Sequence, residues 1–297
     1  MEHLRRAMLF APGNHPAMLQ NAGIYGADTL IFDLEDAVSI PEKDSARYLV
    51  HNAIKYLEYP CEVAVRINHI STPWGYDDLE IILAAKPDLI RLPKGETAED
   101  IKIVDDIISQ AEAKHGFEPG TIKMMAAIEN PKGLRNAYEI ATASPRMVAL
   151  AIGGEDFVTS LKGWKTKGGL ELFVARTELL YAAREAGICA IDSVFSDVRD
   201  DETFIAETTL IKELGFDGKS VVNPRQIELV HEIFTPTLEE VRNAKKVLAA
   251  YQEGLERKSG VISMNGKMVD APMIVRAERI LAYASAVGAY QGEEATC

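Results

Sequence analysis

Eight short runs of hydrophobic residues recur along the chain, and each is followed by a stretch with helical character. Most runs are continuously apolar rather than alternating, which is typical of parallel strands covered on both faces. Eight strand–helix repeats predict a (β/α)8 TIM barrel, with a doubly wound open sheet as the alternative. The runs are Ala7–Pro12, Thr29–Asp36, Glu62–Asn68, Asp88–Lys94, Lys123–Asn130, Met147–Asp156, Cys189–Val194 and Lys219–Pro224.

The residues after the eighth repeat begin with a longer helical pattern. Thr237 and Glu240 have the spacing of a capping box, in which each side chain satisfies a backbone N–H of the first turn. Apolar residues then recur at intervals of three and four, which predicts a helix with one buried face. Gly260 is expected to end this helix.

A hairpin and a final helix are predicted beyond that point. Asn265 and Gly266 lie between short apolar arms, the usual signal for a two-residue β-turn. The last helix is predicted from about residue 271 to 287. We therefore predict a barrel domain over residues 1–235 and a helix–hairpin–helix extension over residues 236–297.

Charge and cysteine content narrow the class of protein. The chain has 32 basic and 45 acidic residues, a net charge of −13, so it lacks the basic field that a nucleic-acid-binding protein needs. Cys61, Cys189 and Cys297 are odd in number and widely spaced, which favours a reduced, cytoplasmic compartment. The apolar run of residues 7–11 is too short for a signal peptide or a membrane span.

Charged residues gather where the predicted strands end. In a (β/α)8 barrel these ends form the face that carries the chemistry, although any one such residue can instead be a solvated loop charge or a helix cap. The strand-end residues are Asp33, Glu35, Asp36, Arg66, Arg91, Lys94, Glu129, Glu155, Asp156 and Asp192.

Two of these carboxylates suit a magnesium ion. Glu129 and Asp156 end neighbouring strands, and Mg²⁺ usually takes one or two carboxylates together with waters and substrate oxygens. Gly153 and Gly154 would allow a ligand to approach the backbone closely. The planar guanidinium of Arg66 can hold a carboxylate in two-point fashion, or it can pair with the acids of the second strand.

Other chemistries have little support in the sequence. The six histidines are scattered without metal-ligand spacing, and there is no G-x-S-x-G, P-loop or G-x-G-x-x-G motif. Lys94 could in principle form a Schiff base, but a metal-stabilised enolate requires fewer assumptions.

Several motifs resemble the aldolase/citrate lyase family, and within it the citrate lyase β subunits. The matching stretches span almost the whole chain: MLFAPGN, FDLEDAV, VRIN, IRLPK, AAIENP, GGEDF, FDGKSVVNPRQI and NGKMVDAP. The sequence departs from the family pattern where Gly154 and Phe157 replace the common alanine and tyrosine, and where Ala271 replaces glycine.

The resemblance implies roles for individual residues. Glu129 and Asp156 would bind Mg²⁺, and Arg66 would hold a substrate carboxylate. Three further acids would support the site without binding the metal directly: Asp33, Glu35 and Asp36. Of these, Glu35 and Asp36 would order metal-bound water.

The extension would cover a neighbouring barrel in a homo-oligomer, a trimer or hexamer. Asp270 would act there as an acid–base residue supplied across the interface. Its alternative role is that of an N-cap for the last helix, because it stands two residues before Pro272.

The implied reaction is Mg²⁺-dependent cleavage of a citryl thioester to oxaloacetate and an acetyl thioester. The thioester carrier would be coenzyme A or an acyl carrier protein, and the partners would be the α subunit and the acyl carrier (γ) subunit. Four basic residues could meet an anionic carrier arm, although the sequence favours plain solvation for them: Arg5, Arg6, Lys219 and Arg225. The alternatives are a malyl-CoA or other hydroxyacyl-CoA lyase or thioesterase, a pyruvate-type aldolase, and a non-catalytic scaffold subunit.

Overall fold

The computed structural model describes residues 3–256, 263–264 and 267–290. Eight parallel strands form a closed barrel in chain order, and β8 returns to β1 through the pairing of Lys219 with Ala7. The predicted (β/α)8 barrel is therefore confirmed, and the open sheet is excluded. The strands are β1 Ala7–Pro12, β2 Thr29–Asp33, β3 Glu62–Arg66, β4 Leu89–Leu92, β5 Lys123–Ile128, β6 Met147–Ile152, β7 Cys189–Asp192 and β8 Gly218–Val221.

Helices follow the strands around the barrel. Asn130 caps one of them by accepting a hydrogen bond from the Gly133 N–H, with Pro131 at the first helical position, as its sequence predicts. The helices are α1 Pro16–Asn21, α2 Lys43–Tyr56, α3 Gly75–Leu83, α4 Ala98–His115, α5 Pro131–Arg135, α6 Ala137–Thr142, α7 Gly154–Ser160, α8 Leu170–Ala186, α9 Asp201–Leu214 and α10 Arg225–Phe234.

Alternation along the strands decides which side chains fill the barrel. One side chain or two from each of seven strands form a buried cluster inside it: Met8, Ile31, Ala64, Leu89, Met125, Ala149, Ala151 and Ile191. Because side chains alternate between faces, the residue two positions further along a strand points inward as well. On β1, β3 and β4 that residue is Phe10, Arg66 and Arg91. These three side chains therefore lie above the apolar layer, toward the carboxyl ends of the strands.

The chain divides into two compact units, residues 1–231 and 232–297. In the second unit, helices α11 (Leu238–Glu256) and α12 (Ala271–Ala286) enclose a small apolar core that includes Ala244 and Ala277. The capping box of Thr237 and Glu240 is present, and two short antiparallel strands confirm the hairpin: β9 Ser263–Met264 and β10 Lys267–Met268.

The predicted turn at residues 265–266 and the stop at Gly260 lie outside the described residues. The proposed packing of this unit on a neighbouring subunit stays a prediction. Within the described part of the chain, every helix is either too short or too polar to cross a lipid bilayer.

Candidate active site at the carboxyl ends of the strands

A cavity of about 390 Å³ lies at the carboxyl ends of the barrel strands. Its walls hold five carboxylates and two guanidinium groups, and this excess of negative charge favours a cation. The lining residues are Phe10, Pro12, Asp33, Asp36, Ala37, Arg66, Arg91, Glu129, Ile152, Gly153, Gly154, Glu155, Asp156, Ser193, Val194 and Val222. Most of the predicted site residues therefore meet in one cavity.

Arg66 is held by the acids that follow strand β2. It donates two parallel hydrogen bonds to Asp33, of 2.7 and 2.6 Å, and its Nη1 lies 3.1 Å from Glu35 and 3.4 Å from Asp36. Burial opposes ionisation of Asp33, but the bonds from Arg66 outweigh it and hold the Asp33 pKa below its ordinary value. The alternative given by the sequence, an ion pair between Arg66 and these acids, is thus present.

Glu35 connects this group to strand β4. Its carboxylate also contacts the ammonium group of Lys94. Burial lowers the pKa of Lys94, but the hydrogen bond and charge of Glu35 have the larger combined effect and raise it. An amine with a raised pKa is a poor nucleophile at neutral pH, which argues against a Schiff base at this lysine.

Glu129 is the carboxylate best suited to a cation. It follows β5, is buried, and its Oε2 has no hydrogen-bond partner among the described residues. Burial, followed by the nearby charges of Glu35 and Asp156, raises the Glu129 pKa to about 7. A divalent cation bound there would give Oε2 a partner and would neutralise the repulsion between Glu129 and the neighbouring carboxylates.

Gly153 is required by the position of Glu129. A Cβ at residue 153 would stand 2.4 Å from Glu129 Cγ, a separation that no real Cβ contact allows. Glycine at this position therefore lets the glutamate side chain pass against the backbone that leads into α7. From the sequence, Gly153 was expected to let a ligand approach the backbone. The structure adds that its lack of a side chain makes room for Glu129, the proposed metal ligand.

Asp156 lies in the first turn of α7, is exposed and faces the same cavity. Gly154 donates its N–H to Ser193 Oγ at 3.0 Å, and a Cβ at Gly154 would meet that oxygen at 2.6 Å. This contact gives a physical reason for glycine at position 154, where the resemblance led us to expect alanine. Ser193 itself was not singled out from the sequence, because nothing in its local pattern marks it.

The donor set fits magnesium. Glu129 and Asp156 line the same cavity, and the charge of Asp156 contributes to the raised pKa of Glu129. The described residues contain no group of three or more acidic, histidine or cysteine side chains arranged for a metal. Two carboxylates are what Mg²⁺ commonly takes, since it keeps waters and substrate oxygens in its remaining positions.

One strand-end acid was placed wrongly by the sequence argument. Asp192 does not line the cavity, because it follows the inward-facing Ile191 and so points outward, between the barrel and its helices. There it binds Arg176 and Lys219 at 2.7 and 2.6 Å. Lys219 is fully buried, so it cannot meet a carrier arm.

Two other candidate basic residues are also paired. Arg5 binds Glu62 at 2.6 Å and is buried, whereas Arg6 binds Asp28 at 2.7 Å. Arg225 is exposed and lies 3.7 Å from Asp201. Of the four, only Arg225 keeps an accessible charge that could meet an anionic arm.

Asp270 lies in the second unit. It is exposed, and its carboxylate caps α12 by accepting a hydrogen bond of 3.0 Å from the Met273 N–H. The capping role foreseen as an alternative is therefore present. Its role as an acid–base residue across an interface stays a prediction.

Comparison with known proteins gives the same family as the motifs. Residues 6–224 match the model of the HpcH/HpaI aldolase/citrate lyase family. The chain is 51% identical to the citrate lyase subunit beta of Leuconostoc mesenteroides subsp. cremoris over 286 residues, 96% of this chain and 95% of that protein. It is 33% identical over 289 residues to a (3S)-malyl-CoA thioesterase of Cereibacter sphaeroides, which covers 97% of each chain.

A solved structure shares the fold over nearly the full length. The CitE protein of Mycobacterium tuberculosis, in complex with magnesium, acetoacetate and coenzyme A, is 29% identical and superposes with a TM-score of 0.78. The match covers 95% of this chain and 98% of that one. The chain therefore belongs to the HpcH/HpaI aldolase/citrate lyase family.

Proposed function

We propose that this chain is the β subunit of a citrate lyase and cleaves a citryl thioester to oxaloacetate and an acetyl thioester with Mg²⁺. The observation that supports the chemistry most directly is the buried Glu129 carboxylate, which lies in the same cavity as Asp156. Its Oε2 has no hydrogen-bond partner among the described residues. The citryl substrate is supported by 51% identity to a citrate lyase β subunit, against 33% to a malyl-CoA thioesterase.

The reaction is a retro-Claisen cleavage. The tertiary hydroxyl loses its proton, its carbon becomes the oxaloacetate carbonyl, and the adjacent carbon–carbon bond breaks. The electron pair of that bond passes to the thioester as an enolate, which is then protonated to the acetyl thioester. The protein must therefore stabilise negative oxygen atoms and deliver one proton.

The cavity residues would divide these tasks. Glu129 and Asp156 would hold Mg²⁺, which supplies Lewis-acid stabilisation of the substrate oxygens when bound. Arg66 would neutralise a substrate carboxylate, with its orientation fixed by the two hydrogen bonds to Asp33. Glu35 and Asp36 would order water around the metal.

Asp270 of a neighbouring subunit would manage the proton at the enolate carbon. Its capping role complicates an alanine variant, since loss of an N-cap costs about 1 kcal/mol of helix stability. Asp270→Asn avoids this problem because asparagine caps helices as well as aspartate does. We expect Asp270→Asn to lower kcat at least 100-fold with an unchanged melting temperature. Wild-type turnover in that variant would remove Asp270 from the mechanism.

The proposed partners follow from the citrate lyase assignment. They are an α subunit and an acyl carrier (γ) subunit that bears the acyl group, with coenzyme A as a possible substitute. A homo-oligomer, trimer or hexamer, would allow the second unit of one chain to complete the site of another.

The direct test is oxaloacetate release from citryl-CoA by the purified chain, with Mg²⁺ present and after chelation. Metal-dependent release from citryl-CoA, with little from malyl-CoA, is the expected result. Preference for malyl-CoA would retain the metal site and replace the substrate. Failure on both thioesters, even with acyl carrier protein supplied, would favour a non-catalytic scaffold.

A further inference from the structure

Arg91 is a buried guanidinium without a carboxylate partner among the described residues. It is 3% exposed, its Nε has no hydrogen-bond partner, and its Nη1 makes one weak bond of 3.3 Å to Ser220 Oγ. The other buried arginines each bind a carboxylate at 2.8 Å or less: Arg5 with Glu62, Arg47 with Asp78, Arg146 with Glu112 and Arg176 with Asp192. Arg91 is thus the exception among the buried arginines that the structure describes.

An unpaired buried charge is unfavourable for the fold. Removing an ionised group from water costs several kcal/mol unless a partner compensates it. Burial, and then the charge of Arg66, lowers the Arg91 pKa to about 10, so the group is still protonated at neutral pH. A charge kept in this condition at a cavity wall is typical of a ligand-binding group.

The position of Arg91 is suited to an anion in the cavity. Its side chain points into the barrel from β4, one strand away from Arg66, and both guanidinium carbons lie 4.9 Å from the centre of the Phe10 ring. Arg66 already binds Asp33 and Glu35, whereas Arg91 lines the same cavity and has no ion-pair partner among the described residues. A second substrate carboxylate, beside the one assigned to Arg66, would therefore find an uncompensated cation in Arg91.

We propose that Arg91 binds the carboxymethyl carboxylate of the substrate and so selects citryl over malyl thioesters. This inference rests on the proposed function. A citryl group carries two free carboxylates, one on the carbinol carbon and one on a methylene, whereas a malyl group lacks the second. A site with a buried guanidinium discriminates strongly against the substrate that leaves it unpaired.

Binding of two keto acids isolates this contact. Oxaloacetate is pyruvate with one additional carboxylate, so their affinities differ by the group assigned to Arg91. We expect Arg91→Met, titrated calorimetrically with Mg²⁺, to bind oxaloacetate at least 10-fold more weakly and pyruvate within 2-fold of wild type. Arg91→Lys should be intermediate, because it keeps the charge without the planar fork.

A matched control is Arg184→Met. Arg184 lies at the opposite end of the barrel, where it binds Asp217 at 2.8 Å. Arg184→Met should leave the affinities for oxaloacetate and pyruvate unchanged. An equal loss of affinity for oxaloacetate and pyruvate in Arg91→Met would mean that Arg91 supports the whole site. No loss of affinity for either would mean that the carboxylate binds elsewhere. Either result overturns the inference.

Thioester kinetics separate this inference from the proposed function. In Arg91→Met the ratio of kcat/KM for citryl-CoA to that for malyl-CoA should fall at least 10-fold. If wild type cleaves citryl-CoA and the variant keeps the ratio, the function stands and the role of Arg91 fails. Wild type could instead cleave neither thioester and still bind oxaloacetate more tightly than pyruvate, with this preference lost in Arg91→Met. In that case the carboxylate-binding role of Arg91 stands and the proposed function fails.

Discussion

Two groups of charged side chains in the barrel differ in how completely their members are paired. The first, here called the wall cluster, lies outside the strands and consists of Arg176, Asp192, Glu207 and Lys219. It has two cations and two carboxylates. Asp192 accepts bonds from both cations, and Glu207 bridges them at 3.1 and 2.6 Å. Burial opposes ionisation of Asp192, yet these two cations hold its pKa low.

The second group, here called the mouth cluster, lines the cavity at the strand ends and consists of Asp33, Arg66, Arg91, Glu129 and Asp156. Asp33 and Arg66 pair with each other, as in the wall cluster. Arg176 of the wall cluster keeps one unpartnered nitrogen, but it binds two carboxylates. Glu129 and Arg91, in contrast, each keep an unpartnered polar atom and have no oppositely charged group within salt-bridge distance among the described residues. The difference teaches that buried charge alone does not indicate function. The useful sign is a buried charge to which the protein itself gives no ion-pair partner.

The largest expected effect comes from the unsatisfied carboxylate. Glu129→Gln should lower citryl-CoA cleavage at least 1000-fold, because it removes one of two proposed metal ligands and its charge. It should also weaken Mn²⁺ binding, which can be measured by electron paramagnetic resonance without substrate.

Glu139→Gln is the control for that experiment. Glu139 is exposed on α6 and is not among the residues that line the cavity. It should retain activity within 3-fold and bind Mn²⁺ normally. If Glu129→Gln bound Mn²⁺ as tightly as wild type, Glu129 would not be a metal ligand.

A substitution in the wall cluster should instead lower the free energy of unfolding. Asp192→Ala leaves Arg176 and Lys219 with only Glu207, and breaking a buried ion pair from one side costs about 3–5 kcal/mol. Urea denaturation should show this loss in the free energy of unfolding, while activity per folded molecule stays near wild type. The exposed Asp201→Asn should change stability by less than about 0.5 kcal/mol. A stable Asp192→Ala protein with impaired turnover would contradict the assignment of this cluster to the fold.

A steric change at the mouth should have a smaller effect than loss of a ligand. Gly153→Ala introduces a Cβ 2.4 Å from Glu129 Cγ, so the glutamate or the backbone must shift. We expect a 10- to 100-fold loss of activity and weaker Mn²⁺ binding, since displacement by about 1 Å is costly for catalysis. Gly168→Ala, where a Cβ meets nothing within 4 Å, is the control. Equal effects of the two substitutions would show that the contact with Glu129 is unimportant.

The sequence predicted the barrel and much of the mouth cluster for clear physical reasons. Continuous apolar strands reveal a parallel sheet, and hard acids at their ends reveal the catalytic face. The same argument misplaced Asp192, because proximity to a strand end does not specify the face on which a side chain lies. Strand parity could have corrected this: Arg91 is two residues after the inward Leu89, whereas Asp192 is one after Ile191. Contacts between neighbouring strands, such as the close approach of Glu129 to Gly153, have no local sequence signal.

The smallest expected effect is also the sharpest test of the comparison between the two clusters. Arg91→Met removes a cation that no carboxylate compensates among the described residues, so the unfolding free energy without ligand should stay at or above the wild-type value. Arg66→Met should cost about 3 kcal/mol, because it leaves the buried Asp33 without its cation. Urea denaturation of both variants, with and without oxaloacetate, measures the difference. Oxaloacetate should stabilise wild type more than Arg91→Met, since at a given concentration a ligand that binds the folded state more tightly stabilises it more. If Arg91→Met were as unstable as Arg66→Met, Arg91 would serve the fold in the way the wall cluster does.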